Sequence, residues 1–245
     1  MTLQLAALGV GGAFSQKYYS TSIVVFCNGG TVLIDCPHPI RKMLKEAQLS
    51  VPIDVGDIDT VLVSHLHADH SSGLEGFLFY SRFRIGKRAS LAAHGRVLER
   101  LWNNHLAAGM DTLEIEGKTQ TSSLSDFADT IELYDNSVVK TGAFEVACRQ
   151  TKHHIPTYAF KLYAEGRAVG FSADTDFDPT LIEWLSECDL IIHETNIGIH
   201  TPYEKLAELP LSLRKKMRLI HYPDNFATES SAIEPMLQGK LITIK

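Results

Sequence analysis

The apolar residues of this chain fall into short runs separated by segments with helical spacing. Runs of strand length, either continuous or alternating with polar residues, predict β-strands at residues 3–9, 22–27, 31–35, 59–63, 89–93, 143–148, 158–163, 168–172, 189–193 and 240–244. Apolar positions three and four residues apart predict helices between them, at residues 40–47, 73–82, 96–106, 179–186, 202–209 and 211–217. Strands that alternate with helices in this way indicate the α/β class.

Turn residues predict two β-hairpins. Asn28-Gly29-Gly30 and Glu165-Gly166 each separate two strand-like runs, and the second turn leads into the strand that ends just before Asp174. We find no repeat, linker or low-complexity tract. A chain of 245 residues with 44% apolar content can bury one sizeable core, so we expect a single domain over residues 1–245.

Composition narrows the functional classes. The net charge of −6 disfavours a protein that grips long RNA, because such proteins gain most of their affinity from a basic surface. No run approaches the ~18 to 20 apolar residues of a membrane span, and the first residues do not resemble a signal peptide, so we expect a cytoplasmic protein. The four cysteines form no Cys-x-x-Cys pair and are expected to be reduced thiols.

The densest group of chemically active residues follows the predicted strand at 59–63. His65, His67, Asp69 and His70 place three imidazoles and a carboxylate within six residues. His65 and His67, two positions apart, point the same way only while the chain is extended, and Asp69 and His70 would then face a second ion. This spacing predicts a metal site.

The segment resembles the His-x-His-x-Asp-His signature of the metallo-β-lactamase superfamily of binuclear hydrolases. The resemblance implies an αββα sandwich, in which two mixed β-sheets are flanked by helices. It also implies three further ligands in a fixed order, a His, an Asp and a His, each at the end of a strand.

Two adjacent histidines compete for the first of these positions. In the ribonuclease Z-like branch the ligand His precedes an aromatic-small-aromatic strand start by five residues, and Tyr158-Ala159-Phe160 then selects His153. His154 is the alternative.

The remaining two ligands have clearer candidates. Asp174 lies in Ser172-Ala173-Asp174-Thr175, which resembles the Ser-Gly-Asp-Thr turn of the branch with Ala173 in place of glycine. His221 ends a short apolar run and is the candidate for the last ligand. His200 is the alternative, although it follows no comparable strand.

Other segments resemble the same branch. His193-Glu194-Thr195 looks like its His-Glu-Ala-Thr segment, which implies that His193, oriented by Glu194, donates a proton in catalysis, with Asp69 as a further catalytic residue. The alternative is a structural histidine. Asp35 matches a strand-end Asp that orients the histidine loop. The glycines of Gly9-Val10-Gly11-Gly12 match a loop whose backbone amides approach substrate phosphate.

The resemblance implies a mechanism that uses two Zn²⁺ ions, with Mn²⁺ or Fe as alternatives. One ion would be held by His65, His67 and His153 and the other by Asp69, His70 and His221, with Asp174 between them. A shared hydroxide would attack the phosphorus, and His193 would protonate the departing oxygen.

The substrate is predicted from a missing segment. Ribonuclease Z enzymes insert a long arm for transfer RNA between the third ligand His and the bridging Asp, but here Asp174 follows His153 by only 174 − 153 = 21 positions. The chain is instead similar to the anti-Pycsar type of cyclic-nucleotide phosphodiesterase. This implies a homodimer that hydrolyses cyclic nucleotides, with 3′,5′-cyclic mononucleotides as the expected substrate. The aromatic residues that could stack a base are Phe14, Tyr18, Tyr19, Phe77 and Tyr80.

Three other functions stay open at this point. They are arm-less cleavage at the 3′ end of transfer RNA, hydrolysis of a lactone, thioester or β-lactam, and sequestration of nucleotides without turnover. The base, the size of the ring and the role of residues 107–125, as a dimer or lid loop or as a plain surface excursion, are not determined by the sequence.

Overall fold

Two β-sheets and the helices around them make up the protein. The computed structural model describes residues 2–49 and 52–244. In chain order, the strands within these residues are β1 (Leu3–Gly9), β2 (Ser22–Cys27), β3 (Gly30–Ile34), β4 (Thr60–Leu62), β5 (Ala89–His94), β6 (Thr112–Ile115), β7 (Lys118–Thr121), β8 (Ala128–Leu133), β9 (Val138–Thr141), β10 (Phe144–Gln150), β11 (Tyr158–Ala164), β12 (Arg167–Phe171), β13 (Leu190–Glu194), β14 (Met217–Ile220) and β15 (Leu241–Ile244).

The helices are short and mostly connect strands. In chain order, those within the described residues are α1 (Ile40–Glu46), α2 (Ala68–Ser71), α3 (Leu74–Phe79), α4 (Gly95–Leu101), α5 (Ala107–Met110), α6 (Leu124–Phe127), α7 (Pro179–Leu185), α8 (Tyr203–Ala207) and α9 (Leu211–Arg214). A π-helical turn at Tyr80–Ile85 extends α3, and another at Trp102–Leu106 joins α4 to α5.

Both large sheets are mixed, as the resemblance implied. The first has the order β15-β1-β2-β3-β4-β5-β8, antiparallel from β15 to β3 and parallel from β3 to β8. The second has the order β14-β13-β12-β11-β10-β9, parallel from β14 to β12 and antiparallel from β12 to β9. Buried apolar side chains of both sheets belong to one cluster, which joins the two halves of the chain.

The parallel strands position the candidate site residues. Neighbouring parallel strands end at the same edge of a sheet, and ligands bind there in many α/β proteins. In the first sheet Asp35 follows β3, and the chain reaches His65 three residues after β4 ends. In the second sheet Asp174 follows β12 and His221 follows β14, while Glu194 is the last residue of β13.

Every strand and hairpin predicted from the sequence is present, with ends that shift by at most two residues. The first hairpin pairs Cys27 with Gly30, and the second pairs Ala164 with Arg167. In the second turn Glu165 and Gly166 have φ of +55° and +70°, which is the conformation of a two-residue type I′ turn.

The structure also contains strands that the sequence did not predict, namely β6, β7, β8, β9 and β14. β8 and β9 are edge strands with few buried residues, so their apolar pattern is weak. The helix predicted over residues 211–217 ends at Arg214, and Met217 instead begins β14. The stretch at residues 107–125 forms the β6–β7 hairpin, which pairs with neither large sheet.

The helix predicted over residues 96–106 is longer than expected, because the π-helical turn carries it on into α5. Within residues 2–49 and 52–244, the helices are too short and too polar to traverse a lipid bilayer.

Candidate functional site

The backbone of the histidine loop changes conformation after His67. Residues 63–67 lie in neither a strand nor a helix, and the last of them, His67, is extended, with φ −68° and ψ 149°. His65 and His67 therefore precede the first turn of α2, whereas Asp69 and His70 project from it. The change of backbone between His67 and Ala68 separates the four side chains into two pairs.

The first pair meets side chains from the second sheet. His67 Nδ1 lies 3.1 Å from His65 Nε2 and 3.2 Å from His153 Nε2. Asp174 Oδ2 lies 3.6 Å from His65 Nε2 and 4.0 Å from His153 Nε2. These four residues each offer one ligand atom within 4.8 Å of all the others, so they could hold one metal ion.

The second pair forms a similar group. His221 Nε2 lies 3.1 Å from Asp69 Oδ2, and His70 Nε2 lies 3.2 Å from Asp174 Oδ1. Asp174 Oδ1 is also 3.7 Å from His221 Nε2. The two carboxylate oxygens of Asp174 thus divide between the two groups, an arrangement in which one side chain could bridge two ions.

The structure distinguishes between the two adjacent histidines as candidate ligands. His153 belongs to the first group, whereas His154 belongs to neither. His154 is exposed, with Nε2 3.1 Å from the far ring nitrogen of His67. The geometry therefore favours His153 as the ligand.

Hydrogen bonds on the side away from the cluster orient the rings of His65 and His70. Asp35 is fully buried, and its carboxylate accepts hydrogen bonds from the Ser64 amide, the Ser64 hydroxyl and His70 Nδ1, each at 2.7 Å. The Ser64 hydroxyl also accepts a hydrogen bond from His65 Nδ1 at 2.9 Å. With Nδ1 as the donor, both rings present the lone pair of Nε2 to the centre of the cluster, which is the usual task of residues behind a metal site.

Three residues of the site have left-handed backbone conformations. Asp35 and His221 directly follow a strand, and Ala173 lies two residues after one; their φ angles are +58°, +60° and +50°. Such conformations cost non-glycine residues on the order of 1 kcal/mol or more each. Ala173 occupies the position where the related turn has glycine, and it keeps the backbone geometry that glycine favours.

The glycine-rich first loop packs against the cluster. A Cβ at Gly12 would lie 2.5 Å from Asn196 Nδ2 and 3.2 Å from His221 Cε1. Glycine at this position therefore makes room for two side chains of the protein itself. The next part of the loop is fixed by Asp224, whose carboxylate accepts hydrogen bonds from the Ser15 hydroxyl and the Gln16 amide.

The cluster has the chemistry of a cation site. Three ring nitrogens converge between His65, His67 and His153, and no arrangement of their protons satisfies all of the contacts. Apart from their 3.2 Å contact with each other, His70 Nε2 and Asp174 Oδ1 are buried without a hydrogen-bond partner among the described residues. Burial lowers the pKa of His65, and it lowers that of His153 to about 4, so both rings are neutral, which is the form that binds metal.

His193 belongs to neither candidate ligand group and is not among the described residues that line the cavity, so its catalytic role stays a prediction that the geometry does not support. Successive residues of a strand point to opposite faces, so His193 and Glu194 cannot both face the cluster from β13. The His193 ring is fully buried, and its Nδ1 donates to the Glu194 carbonyl at 2.7 Å. Burial lowers the pKa of His193 to about 4.

Glu194 does face the cluster, and its histidine partner is His200. Glu194 Oε1 accepts hydrogen bonds from the Thr175 amide at 2.7 Å and from His200 Nδ1 at 3.0 Å. Burial lowers the pKa of His200, but the hydrogen bond to Glu194 and the negative charges of Glu194 and Asp174 together outweigh burial and raise the pKa. The alternation along β13 could have shown from the sequence that His193 and Glu194 face opposite sides of the sheet, although it could not have identified His200 as the partner.

The segment that carries His200 is fixed at its base. The Thr195 hydroxyl donates to the Thr201 carbonyl at 2.9 Å, and the Thr201 hydroxyl donates to the Thr175 carbonyl at 2.9 Å. Asn196 Nδ2 donates to the His221 carbonyl at 2.8 Å. These bonds position His200 next to Asp174, with 3.9 Å between His200 Nδ1 and Asp174 Oδ2.

A cavity of about 770 Å³ opens over the cluster. Its walls include Asp69, Asp174 and His200, and its rim carries the exposed apolar side chains Phe14 and Ile197. Phe14 is 97% exposed and is the one predicted stacking residue that lines this cavity. The other four predicted stacking residues have contacts elsewhere. Phe77 is buried in the core, and the Tyr18 ring packs against the Tyr222 ring. The Tyr19 hydroxyl donates a hydrogen bond to Glu46, and the guanidinium of Arg41 stacks over the Tyr80 ring.

Solved structures share this architecture. The metallo-β-lactamase fold protein YhfI from Bacillus subtilis superposes with a TM-score of 0.78 over 99% of this chain and 100% of its own, at 16% identity. The short form of human tRNase Z superposes with a TM-score of 0.72 over 99% of each chain, at 18% identity. The protein therefore has the metallo-β-lactamase fold, which confirms the fold class expected from the histidine loop.

Sequence comparison defines the family. A family model described as Anti-Pycsar protein Apyc1 matches residues 3–238. The Anti-Pycsar protein Apyc1 of Bacillus phage BSP38 is 32% identical over 259 residues, which cover 98% of this chain and 97% of the phage protein. The range matched by the family model contains β1 to β14 and the positions of all seven residues of the two ligand groups. The chain belongs to the Anti-Pycsar protein Apyc1 family.

Proposed function

We propose that this protein is a metal-dependent phosphodiesterase that hydrolyses cyclic nucleotides, with 3′,5′-cyclic mononucleotides as its substrates. The observation that carries the proposal is the position of the Glu194–His200 pair beside Asp174, at the point where the two candidate ligand groups join. A proton donor next to such a cluster is what cleavage of a phosphodiester requires. The family to which the chain belongs supports a cyclic-nucleotide substrate.

The candidate ligands suit two divalent ions. We propose His65, His67 and His153 for one ion, Asp69, His70 and His221 for the other, and Asp174 for both. Imidazole-rich sets favour Zn²⁺, and the carboxylates also suit Mn²⁺ or Fe. When bound, such ions lower the pKa of water at the site and withdraw charge from a phosphoryl oxygen.

Side chains of the protein would then donate and accept the protons that the reaction transfers. Water adds to phosphorus as the bond from phosphorus to one ribose oxygen breaks, and the ring opens to a phosphate monoester. His200, kept protonated by Glu194, gives a proton to the departing ribose oxygen. Asp69 lines the same cavity and takes the proton that the water loses. We therefore replace His193 with His200 as the proposed proton donor.

The shape of the site supports a small substrate. The 20 residues between His153 and Asp174 contain β11, β12 and their tight turn, which leaves no room for an RNA-binding arm. We propose that the base of the nucleotide stacks on Phe14 at the rim of the cavity.

The proposal can be tested with a substrate panel. Zinc- or manganese-loaded protein is incubated with 3′,5′-cyclic mononucleotides, cyclic dinucleotides and a precursor tRNA, with a His67→Ala variant as the control. We expect linear monophosphate from the cyclic mononucleotides and none from the control. Cleavage of the tRNA without turnover of any cyclic nucleotide would refute the proposal, and so would tight nucleotide binding without product.

We also propose that the protein is a homodimer. The β6–β7 hairpin is a separate two-stranded ribbon whose residues are almost all exposed. Such ribbons are marginally stable alone, so packing against a second copy would stabilise it. Light scattering during size-exclusion chromatography should give twice the chain mass of 27.2 kDa. A monomer at all concentrations tested would contradict this proposal.

A further inference from the structure

A second cavity adjoins the candidate active site. It has a volume of about 190 Å³ and is lined by Leu66, His67, Arg96, Arg100, Asn104 and His105, among others. His67 also lines the larger cavity over the cluster, so the two cavities share this residue as part of their walls. A group bound in the smaller cavity would therefore have His67 as a neighbour in common with a ligand held at the cluster.

The ionisable residues that line the smaller cavity are all basic. Among the described residues that line it, two are arginines, two are histidines and none is acidic. The chain as a whole has a net charge of −6, so this local excess of positive charge runs against its overall composition. A concave surface with one sign of charge concentrates ions of the opposite sign.

Among the residues that the structure describes, neither arginine has a carboxylate partner. They lie four residues apart in α4, and two like charges at this spacing destabilise a helix slightly. Arg96 donates to Gln150 Oε1 at 3.3 Å, which leaves most of its donors free. Within the described parts of the chain, the arginines that form ion pairs are a different set, Arg41, Arg88, Arg167 and Arg218.

From this geometry we infer a second anion site, in which Arg96 and Arg100 bind a phosphate group next to the cluster. Arginine is suited to phosphate because its planar fork can donate two parallel hydrogen bonds. The phosphate could be free inorganic phosphate or the second phosphate of a nucleotide. The nucleotide form of the inference rests on the proposed function, whereas binding of free phosphate does not.

The test is calorimetric titration of the metal-loaded protein, which requires no turnover. Failure of the proposed function would appear in the substrate panel and not in this measurement. With inorganic phosphate as the probe, we expect two binding events per chain in the unmodified protein and one in the variant that combines Arg96→Ala with Arg100→Ala. The matched control combines Arg82→Ala with Arg84→Ala, which removes the same charge from exposed positions outside both cavities. It should keep both events.

A second probe distinguishes the two sources of phosphate. Adenosine 3′,5′-bisphosphate should bind at least tenfold more tightly than adenosine 5′-monophosphate if the site receives a phosphate attached to a nucleotide. The Arg96/Arg100 variant should lose this advantage. A lost phosphate event without a bisphosphate advantage would assign the site to free phosphate.

Three results would overturn the inference. They are a single phosphate event in the unmodified protein, a second event that persists in the Arg96/Arg100 variant, and an equal loss in the Arg82/Arg84 control. The metal content and the melting temperature of each variant are measured as well. They distinguish the loss of a phosphate-binding event from loss of metal and from unfolding.

Discussion

The variant Asp174→Ala is expected to lose both metal ions and to turn over cyclic nucleotides on the order of 10³-fold more slowly or worse. The reason is that Asp174 belongs to both candidate ligand groups, with Oδ2 near His65 and Oδ1 near His70. Removal of either His153 or His221 would affect one group only. Metal content by mass spectrometry and turnover of a 3′,5′-cyclic mononucleotide measure the two effects.

Two further variants make this result interpretable. Asp174→Asn keeps the shape of the buried side chain, so that loss of metal can be distinguished from loss of the fold by circular dichroism. His154→Ala is the matched control, since His154 is close to His67 but belongs to neither group. It should keep its metal and turn over within about threefold of the unmodified protein, as surface substitutions usually have small effects. An Asp174→Ala protein with full metal content and full activity would exclude the proposed site.

The variant His200→Ala is expected to keep its metal but to lose about 10²- to 10⁴-fold in turnover of cyclic mononucleotides, the usual contribution of a general acid. A ribose oxygen is a poor leaving group and needs the proton. A p-nitrophenolate ion leaves without one, so bis(p-nitrophenyl) phosphate should be hydrolysed at nearly the unmodified rate. This dependence on the leaving group separates proton donation from a general loss of structure.

His193→Gln is the matched comparison. The His193 ring is fully buried and lies on the opposite face of β13 from Glu194, so the substitution should lower the melting temperature and affect both substrates equally. If His193→Gln and not His200→Ala showed the dependence on the leaving group, the sequence-based assignment of the proton donor would be correct and the structural one wrong.

The parts of the site that the sequence predicted are local. His65, His67, Asp69 and His70 lie within six residues, so their spacing alone restricts how they can project. The strand-end positions of Asp174 and His221 followed from apolar runs and from the resemblance. The choice between His153 and His154 depended on a count of residues, and the structure now supports it through distances to His67 and Asp174.

The features that the sequence did not predict depend on tertiary contacts or on weak apolar patterns. The pairing of Glu194 with His200 depends on how the segment from Thr195 to Thr201 folds back, which tertiary hydrogen bonds determine and no periodic pattern reveals. The edge strands β8 and β9 bury few side chains, so an apolar pattern could not identify them. The basic cavity combines α4 with residues 66–67 and 155–156, a contact that spacing along the chain does not encode.

The left-handed residues at the strand ends differ in how freely they can vary. Glycine would suit the backbone at Asp35, Ala173 and His221 alike, since it has no Cβ to oppose a positive φ. At Asp35 it would abolish the carboxylate behind His70, and at His221 it would remove an imidazole of the cluster. At Ala173 it would remove a single methyl group. Of these three positions, the turn before Asp174 is the one where drift or directed evolution can relax the backbone and leave the chemistry of the site intact.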